Sequence, residues 1–544
     1  MSYTVGFDFG THQTKVCIED ATNPAQKMYE FLEFRNKDGY NSVLFPSIVQ
    51  INKDETLSYG FIDEEQCKVE IDESIRIPEL HLNPEPVYKL PEEPQMPKLP
   101  DKPSFENLKQ ISWKEQLKRF VKKEPSEKKT SLKKWEKECK SIKELFETEH
   151  KAWKKKTNDL MDEFQLIHEN WKQECRKVTE EHEKIVKQLA RKREHRLRFR
   201  YFKLASFSNI KWNDNIAPEL LSVWYIANVI LILQEKLGED FFIQFGVPSG
   251  SEKAVFDSQK RKAYAFLIAA YRLVEKIKTK SDYLKLTYPE LKEQTKIDYN
   301  FTEEELYTFG LNVVPEAFAG LSSITQQKRI QDGMSLLVDI GGGTTDIAFF
   351  TLNGTQPDIH SVISFPKGLN YIFEQYIGTK DDMDIRDVQE LFFTSQGDIS
   401  LFKSSITTYH NQLKNNVSEM KDAIIDSFSF RKDIHKLPID KLIDALKNRP
   451  IVFSGGGSIY KSMRKGVSNF SDVNIINKNL LNIPFVVNTN IDDTIYPILS
   501  TSYGLSIPLE EEIQLTEIED VFNHIVSGDS DINKYKFEHG LTDY

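Results

Sequence analysis

Three stretches of the chain have the residue types and spacing to handle phosphate. They read YTVGFDFGTHQTKVCIE from Tyr3, SLLVDIGGGTTDIAFF from Ser335 and PIVFSGGGSIY from Pro450. In each, an apolar strand delivers its end to a glycine-rich turn, which is how folds bring backbone N–H groups close to a phosphate. One such turn is weak evidence, because Gly-Gly-Gly after a strand is more often a tight turn than a ligand site. Three copies, two of them with an aspartate at the strand end (Asp8 and Asp339), reverse that preference. The chemistry they fit is phosphoryl transfer, which needs charge neutralisation and a positioned water more than covalent help. Such a site wants Mg²⁺, backbone N–H cradles, a lysine and carboxylates.

The elements that must carry these turns read as α/β. PELLSVWYIANVILILQEKLG has apolar residues at helical spacing and is followed by the strand FFIQFGVPSG and the helix SQKRKAYAFLIAAYRLVEKI. Between the second and third motifs lies a polar, mostly helical region, including DAIIDSFSFRKDIHKLPIDKLIDALKNR, which reads as a lobe of the second half. With 544 residues and 39% hydrophobic content, the chain can bury the cores of two or more domains, and most of it should fold. The acidic stretch after Pro508 is too short for another domain. No run of about 18 apolar residues appears, and the N-terminus has neither a basic n-region nor a cleavable apolar stretch, so the expectation is a soluble, cytoplasmic protein with no membrane partner. Cys17, Cys67, Cys139 and Cys175 are widely spaced, with no CxxC or His-paired pattern. That argues against a disulfide framework and a zinc site and fits a reducing compartment.

An insert from Ile62 to Arg198 interrupts the α/β pattern. No glycine occurs between Gly60 and Gly238 and no proline between Pro125 and Pro218, a long window without helix breakers. Apolar residues from Leu132 to Leu189 follow steps of 3, 4 or 7, and Trp135, Trp153 and Trp171 fall on one helical face. Upstream, Pro91, Pro94, Pro97, Pro100 and Pro103 occupy every third position, so a polyproline II strand would stack their rings on one edge. A helix from Ser131 to Arg200 would be roughly 105 Å long, and both ends of the insert must return to one body. The extended residues Lys68 to Lys102 span nearly that distance at roughly 3.1 Å each. The expectation is therefore an arm: the proline strand runs out along the Trp-lined face, a helix near Phe105 to Phe120 and a turn at Glu124-Pro125-Ser126 form the tip, and the long helix returns. A helical hairpin turning at Thr157-Asn158-Asp159 is the structural rival.

The three strand–turn motifs, in this order, resemble the two phosphate motifs and the adenosine motif of the actin and Hsp70 ATPase superfamily. NVVPEAFAGL resembles the connecting helix that begins with a catalytic Glu, and FRYFKLASF resembles the Hsp70 segment whose lysine contacts the γ-phosphate and attacking water. FPSIVQ followed by YG is similar to early strands of an Hsp70 nucleotide-binding domain. The resemblance spans roughly 1–60 and 199–508. It implies a two-lobed ATPase of duplicated ribonuclease H-like domains, with lobe I at 1–61 and 199–320, the inserted long helical arm at 62–198, lobe II at 321–509 and an acidic tail at 510–544. It also implies ATP or ADP and Mg²⁺ as ligands, with Asp8 and Asp339 holding the hydrated metal. Gly10, Thr11, His12, Gln13 and Thr14 would wrap the β-phosphate, and Gly341, Gly342, Gly343 and Thr344 the γ-phosphate. Lys15 stands where actin, rather than Hsp70, has its phosphate-binding lysine. Lys203 matches the Hsp70 lysine, Glu316 would orient the water, and Asp346 would support the second loop and the Mg²⁺ shell. Gly455, Gly456, Gly457 and Ser458 form the adenosine motif. Two departures matter. Ile459 occupies the place of the adenine-stacking Arg of Hsp70, and no peptide-gripping β-sandwich follows Pro508.

The resulting expectation is a slow, Hsp70-like ATPase of chaperone-like or assembly-regulating kind, whose nucleotide state repositions the arm against protein partners. The alternatives are an actin-like filament former, suggested by Lys15, and a nucleotide-binding scaffold with little turnover. Self-association through the arm is open, since an apolar stripe with three Trp suggests protein contact. Nucleic acid ranks lower. From Phe105 to Lys203 there are roughly 29 Lys or Arg against 18 Asp or Glu, but basic residues in the last turns of a long helix complement its dipole, and a charged face is usual on an exposed arm.

Overall fold

The computed structural model describes residues 3–104, 127–435, 451–464 and 486–509, apart from 24–25, 37–38, 209–210, 249–252, 326–332, 354–355, 379–384, 396, 398, 489–490 and 492–494. The expected tip at 105–126, the continuation of the polar helical region over 436–450 and the acidic tail lie outside the described residues. The fold is mixed α/β. It divides into two compact units, 1–69 with 196–544 and 70–195, where the sequence suggested an insert over 62–198.

Two sheets organise the larger unit. The first contains β1 (Tyr3–Asp8), β2 (Gln13–Asp20), β3 (Met28–Phe31), β4 (Phe241–Val247) and β5 (Leu311–Pro315), in the order β5-β4-β1-β2-β3. The second contains β6 (Gly333–Ile340), β7 (Thr345–Asn353), β8 (Gln356–Phe365) and β9 (Ile451–Ser454), in the order β8-β7-β6-β9. The pairing logic repeats. Each first strand pairs antiparallel with the next strand in the chain, and parallel on its other side with a strand that returns after a helical excursion. In β1 the consecutive residues Val5, Gly6 and Phe7 and in β6 Leu337 and Val338 are buried, as expected of strands covered on both faces.

The helices Pro218–Leu237 and Lys253–Ile277 cover one face of the first sheet and complete its core, which includes the fully buried Trp224, Tyr225, Phe245 and Phe266. Pro218–Leu237 is, among the described residues, the one helix long and apolar enough to cross a membrane. Its side chains from Leu221 to Leu231 are instead almost entirely buried in this core. The helices Leu369–Ile377, Ile385–Thr394 and Ile399–His435 cover the outer face of the second sheet.

A third core lies between the sheets, where the helices Glu316–Thr325 and Tyr496–Ser506 pack on each other. Their approach is close enough that a Cβ on Gly504 would lie 1.7 Å from the carbonyl oxygen of Ala319. These helices tie together segments that the sequence reading assigned to separate lobes. The division at 320/321 falls inside the single helix Glu316–Thr325, and Tyr496–Ser506, expected within lobe II, packs on β1, β2 and β4 of the first sheet. Gln244 of β4 donates from Nε2 to the carbonyls of Leu505 and Ile507, both at 2.7 Å. Uniformly apolar helices bear no local mark of which sheet they will cover.

The smaller unit has one continuous helix, Glu127–Arg193, so the hairpin turning at Thr157 does not occur. The helix stops seven residues before Arg200, and Glu194–Arg196 then pairs as a short strand with Val69–Ile71. The extended segment lies along the helix through a ladder of indole N–H donors: Trp135 to the Pro100 carbonyl at 2.8 Å, Trp153 to Pro91 at 3.1 Å and Trp171 to Asn83 at 3.0 Å. Between these rungs His150 and His168 meet Glu93 and Glu85. The spacing follows from the two rises. Eighteen helical residues cover about 27 Å and nine polyproline II residues about 28 Å, so each indole meets a carbonyl eight or nine residues further along the strand. Pro91, Pro94, Pro100 and Pro103 are half-buried, whereas Pro97 is exposed.

Candidate functional site

The register of the two sheets puts the site's charges in equivalent places. Asp8 at the end of β1 lies opposite Lys15 of β2, and Asp339 near the end of β6 lies opposite Asp346 of β7. The turns between these pairs, 9–12 and 341–344, face one cavity of about 1060 Å³. Its wall carries Asp8, Gly10, Thr11, His12, Gln13 and Lys15 from the first motif. Gly341, Gly342, Gly343, Thr344, Asp339 and Asp346 come from the second, and Gly455 and Gly456 from the third. Lys203 and Glu316, 113 residues apart in sequence, reach the same wall.

Three of the residues expected in the site do not line it. Thr14 is fully buried, because in a strand alternate side chains face opposite ways and Gln13 and Lys15 take the cavity side. Its Oγ1 instead lies 3.3 Å from Ser47 Oγ, which donates at 2.7 Å to the Gly10 carbonyl and so braces the first loop from behind. Ser458 donates at 2.7 Å to the Gly455 carbonyl and closes the third turn. Gly457 is pressed against Ile340, where a Cβ would come within 2.3 Å. Other residues on the wall were missed by sequence reasoning: Arg200, Gln259, Lys262, Gln389, Phe393 and Tyr460. Arg200 sits three residues before Lys203 in a basic run, which is the only signal any of them carried.

Charge is crowded here. Lys15 Nζ lies 2.6 Å from Asp8 Oδ2, and Lys203 Nζ lies 2.5 Å from Glu316 Oε1. Lys203 is 5% exposed and stands 5.9 Å from the centre of the Phe9 ring. Among the described residues no lysine or arginine forms an ion pair with Asp339. Burial, then the neighbouring carboxylates Asp346, Glu316 and Asp8, push its carboxyl up to about 7, against a smaller opposing pull from Lys15. Burial raises Asp346 to about 6, opposed by hydrogen bonds from Ser364 and Thr344 and by the charge of Lys203. Asp346 also keeps one carboxylate oxygen, Oδ1, buried with no hydrogen-bond partner.

The two loops are joined across the cavity. His12 Nε2 hydrogen-bonds Asn370 Oδ1 at the start of the helix Leu369–Ile377, and its ring sits edge-on to Tyr201, 5.4 Å between centres. Burial, Arg200 and Lys15 together lower the imidazole to about 4, which keeps it neutral at pH 7. The third turn depends on glycine. Gly455 has φ +79°, and a Cβ there would lie 2.1 Å from Asp339 Oδ1.

Among the described residues no three His, Cys, Asp or Glu side chains come together as a metal cage. Mg²⁺ keeps several waters and binds through one or two carboxylates plus substrate phosphates, and Asp8 and Asp339 are two carboxylates on this wall. A dication there would offset the negative charge that Asp346, Glu316 and Asp8 add to the environment of Asp339. The residues present thus fit Mg²⁺ beside Asp8 and Asp339, and glycine loops backed by Lys15, Arg200 and Lys203 fit a chain of phosphates. No family model and no curated protein matches this chain.

Proposed function

We propose that the protein binds and slowly hydrolyses ATP in this cavity as a two-lobed, duplicated ribonuclease H-like ATPase of the actin/Hsp70 kind, and that nucleotide-driven movement of its lobes repositions the 62–198 arm against protein partners. The observation that carries this reading is the convergence of three strand–turn motifs, two carboxylates and a Lys–Glu pair on one cavity, from segments hundreds of residues apart. The repeated strand order of the two sheets supports the duplication.

On this reading Asp8 and Asp339 hold hydrated Mg²⁺, which when bound supplies charge neutralisation at the β- and γ-phosphate oxygens. Thr11 to Gln13 would offer backbone N–H groups to the β-phosphate and Gly342 to Thr344 to the γ-phosphate, while the Gly10 and Gly341 N–H groups close the loops by donating to the Asp8 and Thr344 carbonyls. Lys203 donates to the γ-phosphate and the attacking water. Glu316, whose Oε1 already accepts from Lys203, orients that water. Lys15, now 2.6 Å from Asp8 Oδ2, would contribute a second cation from the first loop to the phosphates.

The connection to the arm is short. The long helix ends at Arg193 and the site begins at Arg200. The residues between are stitched into the body: Leu197 N–H donates to the Lys68 carbonyl, and Arg198 and Phe199 pair with Gln50 and Val49. Tyr201 and Lys203 then touch His12 and Glu316. A segment held this way transmits displacement instead of absorbing it, which favours a switch over a passive scaffold. The pairing of Lys15 with Asp8 in the cavity favours the actin-like alternative, a filament.

The test is ATP turnover over a range of protein concentrations, with sedimentation of the same samples and Asp8→Ala as the blank. Slow turnover per molecule, independent of concentration and with nothing pelleting, supports the monomeric switch. Turnover that rises with pelleted protein means a filament. Turnover equal to the Asp8→Ala blank overturns the ATPase reading.

A further inference from the structure

The cavity continues past the phosphate loops to an aromatic wall. Gly455 and Gly456 leave it without side chains as the chain turns out of β9, and a Cβ on Gly456 would meet nothing nearer than 3.8 Å. The 3₁₀ turn Gly456–Ile459 then leads to Tyr460. Five residues at about 2 Å each put Tyr460 roughly 10 Å beyond Gly455, and Gly455 itself abuts Asp339 at the phosphate end. Tyr460 lies beside Phe393, ring centres 5.9 Å apart and planes 25° from parallel. Both rings line the cavity, as does Phe373, which packs edge-on to Phe393 at 6.2 Å, and behind them Phe392 packs edge-on to Tyr460 at 4.8 Å. The pair is a ledge held from behind with its front open, for Phe393 is 46% exposed. Gln389, one helical turn before Phe393 and so on the same helix face, also lines the cavity and carries both a donor and an acceptor.

Resting on the nucleotide reading above, we propose that the purine base of the nucleotide lies on the Phe393–Tyr460 ledge, with the Gln389 amide at its edge, so that base affinity comes from aromatic stacking. The position where the resemblance implies a stacking cation is Ile459, which offers neither charge nor a π-face. An aromatic ledge does the same work by a different route, because any base has a face to lay on it. Gly456, where a Cβ would meet nothing nearer than 3.8 Å, leaves open space for a ribose between ledge and loops. An amide at the base edge pairs well with adenine, donating and accepting at once.

The experiment compares equilibrium binding of Mg²⁺–ATP and Mg²⁺–tripolyphosphate to the full chain, for wild type, Phe393→Leu and Phe393→Tyr. Leu keeps apolar bulk against Phe373 and Phe392 and removes the π-face; Tyr keeps it. The expected result is that wild type prefers ATP over tripolyphosphate and that Phe393→Leu weakens ATP by about 5- to 150-fold, the range of one base–aromatic stack. Tripolyphosphate affinity should stay within about twofold, and Phe393→Tyr should bind ATP as wild type does. The proposal is overturned if Phe393→Leu leaves ATP affinity unchanged or weakens both ligands equally. Wild type that binds both ligands equally sinks the ledge alone. Wild type that binds neither sinks the nucleotide reading and the ledge with it.

Discussion

The Lys203–Glu316 pair offers the sharpest test of the site, because stability and turnover should respond to it differently. The two side chains are 6% and 17% exposed and 2.5 Å apart. Removing one partner of a buried pair typically costs 3–5 kcal/mol, chiefly by stranding the other charge. Glu316 retains some contact with solvent, so the low end applies: Lys203→Met should destabilise the nucleotide-free protein by about 3 kcal/mol. Glu316→Gln should cost less, since the amide still accepts from Lys203. The double variant strands nothing and should recover much of the loss, giving a coupling of about 2 kcal/mol in a thermodynamic cycle. Urea midpoints of the four proteins, read by pulse proteolysis without nucleotide, supply the cycle. Turnover should not recover. Removing one donor aimed at developing charge costs about 10²- to 10³-fold, so both Lys203→Met and the double variant should be slowed by about 100-fold or more. Single-variant costs that add within about 0.5 kcal/mol would refute the ion pair, and a double variant that regains turnover would refute the catalytic role of Lys203.

His12, lowered from 6.5 to about 4, gives a pH signature. The unfolded state takes up its proton below pH 6.5 and the folded state only near 4, so this contribution to stability falls as pH drops through that window, by up to about 3 kcal/mol. His12→Gln should remove that slope. Asp339, raised to about 7, acts in the opposite direction, since its contribution grows as pH falls from 7 towards 4; the difference between wild type and His12→Gln at each pH therefore isolates the imidazole, and an unchanged difference from pH 7 to 4.5 would refute the assignment. Gly455→Ala combines a left-handed backbone with a Cβ against Asp339 Oδ1 and should weaken Mg²⁺–ATP binding at least tenfold in a direct titration, with a stability cost of about 2 kcal/mol. In the arm, Trp153→Ala removes the rung to Pro91; a local loss of 1–2 kcal/mol should speed trypsin cleavage after Lys89 and Lys98 by about 5- to 30-fold, and equal rates would mean that the strand is held by other contacts.

How far the sequence carried this depends on whether a residue's neighbours lie nearby in the chain. The strand–turn motifs were legible because strand, glycines and aspartate are consecutive. The arm was legible because the absence of Gly and Pro, the 18-residue Trp spacing and the proline period are all local, and two rises per residue suffice to match strand to helix. The inward turn of the Thr14 side chain was not read although alternation was available, because a motif taken whole hides which of its side chains turn inward. His12–Asn370 and Gln244–Leu505 were beyond reach: each joins residues more than 250 positions apart, and nothing near Asn370 or Leu505 distinguishes them from other helix residues. Phe393 and Tyr460 fall in the same class. They read as two more aromatics of an aromatic-rich second half, and only packing makes them one surface.

The duplicated register bears on why the halves are not interchangeable. The same two positions, a strand end and its partner across the hairpin, hold Asp8 and Lys15 in the first sheet and Asp339 and Asp346 in the second. The first pair is internally neutral, with the charges 2.6 Å apart. The second is two carboxylates in a buried setting, and their raised proton affinities record the cost of that arrangement. A triphosphate with its metal brings both signs at once. On the proposed reading a dication would offset the excess negative charge of the second half, and a phosphate chain would meet Lys15 in the first. Binding of the complete ligand should then need both halves together, so each lobe would hold nucleotide weakly by itself, and closure of the lobes would follow from where the charges were left unbalanced.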